Sequence, residues 1–176
     1  MKKKIGDIPD IILRYLILVL VAIPNLWLFY LIFTPLTAYP VYWLLSLSYD
    51  TSILNNNIIL INQAIPIELV EACIAGAAYY LLLILNLSTP KIKIKKRIKI
   101  LLLAFASFLI VNILRIFFLS LFAVSGSGFF DITHKIFWYA LSTIFVVAIW
   151  FAEVKVFKIE DIPFYSDLRF LYKHTR

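Results

Sequence analysis

Three residues with the chemistry to attack and cleave a carbonyl compound are spread along this chain. Cys73 is the only cysteine and sits within IELVEACIAGAAYY, Arg115 interrupts the apolar run ILLLAFASFLIVNILRIFFLSLFAV, and His134 follows FFDIT. A single cysteine cannot form an internal disulfide, so its thiol is free. Brought together, the three groups form a constellation for nucleophilic catalysis. The thiol attacks a carbonyl, the imidazole takes the thiol proton, and the guanidinium stabilises the thiolate or the developing oxyanion. Taken singly, each has a plainer reading. Cys73 is a small apolar filler, His134 an interfacial or helix-start contact, and Arg115 half of a salt bridge to Glu68 or Glu71. What separates the two readings is whether the chain brings the three to one depth.

The elements that would do so are membrane spans. Hydrophobic side chains make up 63% of the 176 residues, and several apolar runs exceed the ~18 residues that mark a transmembrane helix. The expected fold is an all-α membrane protein, with residues 1–176 forming one membrane-embedded domain. Four transmembrane helices are expected at Ile11 to Phe33, Ile67 to Leu87, Ile98 to Val124 and Thr133 to Val156. The first run lacks a small-residue cleavage site and is expected to be retained as a span.

Basic residues sort by side. Lys2, Lys3, Lys4 and Arg14 attend the first span. Lys91, Lys93, Lys95, Lys96, Arg97 and Lys99 fill the link between the second and third. Lys155, Lys158, Arg169, Lys173 and Arg176 follow the fourth, whereas 34–66 and 125–132 contain no Lys or Arg. The positive-inside rule then puts both termini and the basic link in the cytoplasm. Counting PLTAYPVYWLLSLSY, residues 35–49, as a fifth span would invert everything after it, so it is expected to lie in the outer interface. Residues 52–54 and 58–61 flank an Asn-rich turn and read as a short outer hairpin.

With that topology, the helical rise puts Cys73 roughly 9 Å below the outer start of span two and Arg115 roughly 13 Å below the outer end of span three. The Arg115 side chain can snorkel back outward, and His134 opens span four. The three therefore converge on the outer third of the bilayer. A charge in hydrocarbon costs at least ~2.5 kcal/mol, so Arg115 must face the bundle or water and have a partner. Asn112, one turn earlier on the same face, can hydrogen-bond in that network. Ala72, Gly76 and Ala77 allow a neighbouring helix to approach closely. Asp131 either orients His134 or caps the fourth span. Glu71, two residues before the thiol, points largely away from it on a helix and toward Arg115, the outer loops or substrate. Lys135 and His174 carry no expected chemistry, and the aromatic and basic tail from Val156 onward is expected to rest on the inner leaflet.

Ala72-Cys73-Ile74-Ala75-Gly76, Asn112-Ile113-Leu114-Arg115 and His134, in that order on successive spans, resemble the exosortase/archaeosortase family. The size and the Glu-Ala-Cys-Ile-Ala wording are most similar to small archaeosortases of the pacearchaeosortase type. The resemblance spans roughly Ile58 to Trp150. It implies a multi-pass membrane cysteine transpeptidase or protease, with Cys73 as nucleophile, His134 as general acid/base and Arg115 as stabiliser. The implied partners are exported proteins ending in a short motif, a hydrophobic helix and a basic tail. Cleavage at the outer face would pass through an acyl-enzyme, released to water or to an acceptor such as a lipid head group. Many relatives carry a small hydroxyl residue straight after the cysteine, where this chain has Ile74. Larger members have more spans, which would make this chain a reduced core.

Two readings of other classes compete. One is a small transporter or channel subunit with Arg115 as an anion site, and the other is a non-enzymatic assembly factor acting through its outer loops. No metal cluster, Gly-rich phosphate loop or serine elbow is present in the sequence, so neither a cofactor nor a nucleic-acid partner is expected. The topology predicts that a membrane-impermeant thiol reagent labels Cys73 only from outside the cell. Labelling from the cytoplasmic side alone would overturn it.

Overall fold

Residues Ile94–Val124 form one uninterrupted helix of 31 residues, about 46 Å long at the standard rise. It is the spine against which most other helices pack. In a computed structural model describing residues 8–55, 57–126, 135–136 and 142–174, the elements in chain order are helices α1 (Ile8–Ala22) and α2 (Trp27–Ser46), strands β1 (Thr51–Leu54), β2 (Ile58–Ile61) and β3 (Ile65–Glu68), then helices α3 (Glu71–Ile74), α4 (Gly76–Leu87), α5 (Ile94–Val124), α6 (Ser142–Phe157) and α7 (Tyr165–His174). The chain is thus mostly helical, and two helices, α2 and α5, are long and apolar enough to cross a membrane.

α5 is patterned inside out. It buries Arg97, Asn112, Arg115 and Ser120 beside Ile100, Ala104 and Phe108, while Leu102, Ile110, Leu114 and Phe118 are exposed. A helix on the surface of a water-soluble domain does the reverse. This outward face suits hydrocarbon. Where α5 meets α2 and α4, an aromatic cluster sets the packing. Phe33 stacks on Tyr79 with centroids 3.7 Å apart, and Phe105 and Phe108 meet Tyr79 edge-on at 5.6 and 4.9 Å. Stacked and edge-on geometries of this kind are the favoured ones for ring pairs.

Three expectations require correction. The expected span Ile11 to Phe33 is broken, because α1 ends at Ala22 and α2 starts at Trp27. Pro24 supplies no N–H and disfavours helical geometry at Ile23, and Asn25 and Leu26 follow at φ 50° and 60°. Residues 35–46, expected in the interface, instead continue α2 with Pro35 and Pro40 inside it. Burial of Thr37, Ala38, Val41 and Leu45 on the core side of that segment outweighs the two lost backbone bonds. The expected hairpin is a three-stranded antiparallel sheet in the order β1-β2-β3, so Ile67, expected to open a span, lies in a strand. Of the expected fourth span, α6 supplies Ser142 to Val156, and residues 133–134 and 137–141 lie outside the described residues.

At the end where α4 stops, buried arginines hold the fold. Arg14, on α1, donates to the Leu87 carbonyl at 2.7 Å and to Asp167 Oδ1 of α7 at 3.0 Å. Arg97 donates to the carbonyls of Asn86 and Thr89. The last two carbonyls of α4, beyond the reach of a full helical ladder, thereby each accept from a guanidinium group. The side chains of Arg14 and Asp167 are only 5% and 4% exposed. Removing one partner of such a buried pair costs about 3–5 kcal/mol, because the other charge is left uncompensated. Asp167→Asn and Arg14→Leu are each expected to destabilise the fold by that amount, read as a lower thermal unfolding temperature in detergent. The double variant should lose less than the sum. Additive losses would mean that the two charges do not support each other.

Candidate active site

Cys73 lies on a one-turn helix that the chain sets apart from α4. Val70 enters α3 in an extended conformation, and Ala75 ends it at φ 59°, ψ 45°. A left-handed residue other than glycine costs roughly 1–2 kcal/mol. Surroundings must hold it there. Immediately after the break, Gly76 lies against α2, where an added Cβ would come within 2.8 Å of Tyr30 Cε1 and Cζ. The residue is glycine because an aromatic ring occupies the space a side chain would need.

The break leaves the carbonyls of Ala72, Cys73 and Ile74 without helical donors, since Ala78 N–H turns to Ala75 rather than to Ile74. α5 replaces them. Asn112 Nδ2 donates to the Cys73 carbonyl at 3.0 Å and the Ile74 carbonyl at 3.4 Å. Arg115 Nη2 donates to the Cys73 carbonyl at 3.1 Å and the Ala72 carbonyl at 3.5 Å. Asn112 and Arg115 are 1% and 8% exposed, so these bonds are shielded from competing water. The two residues one turn apart on α5 therefore grip the backbone of the cysteine itself.

Cys73 and Arg115 line the same cavity, of about 630 Å³. Glu68 and Glu71 contribute carboxylates to its wall, Gly76, Ala77 and Ala78 a small-residue floor, and Ser120 and Thr143 hydroxyl-bearing residues from α5 and α6. The cavity is large enough for several residues of an extended peptide. It joins an apolar lining to a thiol and a guanidinium, a combination suited to chemistry on an acyl group.

Of the residues singled out from the sequence, Cys73, Arg115, Asn112 and Glu71 come together here. Glu71 is exposed, and neither it nor Glu68 forms an ion pair with Arg115. His134 and Asp131 lie outside the described residues. Depth counting from a continuous second span does not hold, because Cys73 precedes a helix break and follows a strand. Two features of the surroundings went unrecognised in sequence. Tyr30 enters the cavity wall from α2, and its signal was hidden in an apolar run. Glu153 of α6 is 2% exposed, and its carboxylate has no side-chain partner among the described residues and only the Ala104 backbone beside it. Its signal was legible as an acid within an expected span.

Among the described residues, no group of three or more His, Cys, Asp or Glu is placed to hold a metal ion. Compared with family models, curated proteins and solved structures, the chain matches none.

Asn112→Leu removes the donor shared by two buried carbonyls, at an expected cost of about 1–3 kcal/mol. With α3 less firmly held, Cys73 should react faster with a small thiol reagent in detergent. An unchanged labelling rate would show that Asn112 does not hold the cysteine turn.

Proposed function

We propose that this chain is a multi-pass membrane cysteine transpeptidase or protease of the exosortase/archaeosortase kind. Its substrates in this reading are exported proteins that end in a motif, a hydrophobic helix and a basic tail. The observation that carries the reading is the cavity shared by Cys73 and Arg115, at a helix break where Arg115 binds the Cys73 backbone. The Cys73 thiol gives its proton to His134, and Sγ bonds to the scissile carbonyl carbon. The C–N bond breaks, the departing amine takes the proton, and an acyl thioester remains on Cys73. Water, or a hydroxyl or amine of a lipid head group, then attacks the thioester carbonyl and releases the thiol. Arg115 does two things in this scheme. It fixes the cysteine turn through the carbonyls, and its charge beside the thiol favours thiolate and oxyanion. Orientation follows from the basic residues, with the termini and the link before α5 cytoplasmic and the cavity facing out.

A transport reading has one observation in its favour, the buried Glu153, which has no ion-pair partner among the described residues, since intramembrane carboxylates mark proton and ion pathways. The two readings part on the cysteine. In cells carrying a reporter with the C-terminal segment of an exported protein, Cys73→Ala should abolish processing, and Cys73→Ser should reduce it by several orders of magnitude. Normal processing by Cys73→Ala would end the nucleophile assignment. Flux lost in Glu153→Gln but intact in Cys73→Ala would favour transport.

A further inference from the structure

β3 is an edge strand, and residues 66–69 line the cavity that holds the nucleophile. The ladder fixes which groups point away from β2. Leu69 N–H donates to the Asn57 carbonyl at 2.8 Å, and the register pairs Ile59 with Ile67 and Ile61 with Ile65. Bonded and non-bonded pairs alternate in an antiparallel ladder, so residues 65, 67 and 69 turn their N–H and C=O groups to β2. The groups of Pro66 and Glu68 turn the other way. On β2 the parity is complementary: Asn62 N–H donates to Asp50, which assigns residues 58, 60 and 62 to β1. Pro66 fits the assignment, because proline is tolerated in a sheet where its missing N–H faces an open edge. Among the described residues no strand pairs with that edge. Pro66 and Glu68 are exposed, and both line the cavity that holds Cys73 and Arg115.

We propose that the Pro66–Glu68 edge is the substrate-docking rail, to which an extended peptide adds as a fourth strand and is led to Cys73. The inference rests on the reading of the cavity as a peptide-cleaving site and names how the substrate is held there. Glu68 exchanges two backbone bonds with the incoming strand, and the Pro66 carbonyl accepts a third. Strand addition takes its affinity from main-chain bonds and its selectivity from alternate side chains. Charge narrows the occupant. Residues 15–90 contain no Lys or Arg and three acids, Asp50, Glu68 and Glu71, and the last two line the cavity. The docked segment therefore carries neutral or basic side chains opposite Glu68, and an acidic residue there is rejected by like-charge repulsion.

The test uses the full chain in nanodiscs with a synthetic reporter of alternating Thr and Val, one central Lys, an apolar helix of about 20 residues and a Lys tail. Hydrogen exchange at the Glu68 amide should slow when the reporter is present, in wild type and in Cys73→Ala alike. N-methylation of the reporter in one alternation frame should abolish that protection, and in the other frame leave it intact. Glu68→Pro removes the outward N–H together with the carboxylate, so its reference is Glu68→Gln, which removes the charge alone. Relative to that variant it should weaken reporter binding about tenfold, the upper worth of one such hydrogen bond. Exchange at Ile67 and Leu69, which bond inward, reports that the sheet in Glu68→Pro is intact. Equal exchange at Glu68 with and without reporter, or equal loss in both N-methyl frames, would overturn the proposal. Failure of the chemistry looks different: processing that survives Cys73→Ala leaves edge docking standing, whereas Cys73-dependent processing unaffected by Glu68→Pro removes the rail and leaves the nucleophile.

Discussion

A helix that ends inside a packed bundle leaves carbonyls that must find donors, and arginine guanidinium groups supply most of them here. α4 is bounded by two such ends. At its finish, Arg14 and Arg97 reach the carbonyls of Asn86, Leu87 and Thr89. Before its start, Arg115 and Asn112 reach those of Ala72, Cys73 and Ile74. A guanidinium suits the task because it offers several donors in a rigid plane and spreads its charge over them. Most of these donors come from α5, which explains why a helix with an apolar exterior keeps Arg97, Asn112 and Arg115 on its buried face.

The same arrangement ties the candidate chemistry to the fold. The cysteine turn has only a few backbone bonds of its own, from Cys73 and Ile74 to the Val70 carbonyl and from Ala75 to that of Glu71, and no side-chain cap. Its position comes from α5 on one side and from the Gly76–Tyr30 contact on the other. A left-handed non-glycine residue at Ala75 stores strain of the kind found at functional sites. The nucleophile is held from outside its own element, so its placement depends on helices distant in sequence.

Much of this was legible in the residues. Arg115 and Asn112 announced themselves as polar groups in an apolar run, and their convergence with Cys73 followed from counting turns. The counting reached the right neighbours by a route that the backbone does not take. β-branched alternation in Ile65-Pro66-Ile67-Glu68 signals a strand, yet it is masked by the apolar residues that follow. Pro35 and Pro40 read as interruptions, and only the tertiary burial of Thr37, Ala38 and Val41 shows why the helix runs through them. The left-handed turn at Ala75 has no local signature, because alanine does not prefer it. Nothing within a few residues predicts that Arg14 pairs with Asp167, a contact between opposite ends of the chain.

That last contact also sets an order of events during synthesis. Asp167 follows Arg14 by 153 residues. At roughly 5–20 residues per second, its partner arrives on the order of ten seconds later. Until then, among the described residues, the only carboxylate bonded to the α1 guanidinium is the more exposed Asp10, beside the Leu87 carbonyl. A chain that stops short of α7 keeps the spine and the cavity lining but not the buried ion pair. Burial of Arg14 is therefore completed only when α7 docks, so the pair makes the packing of the first described helix conditional on the last.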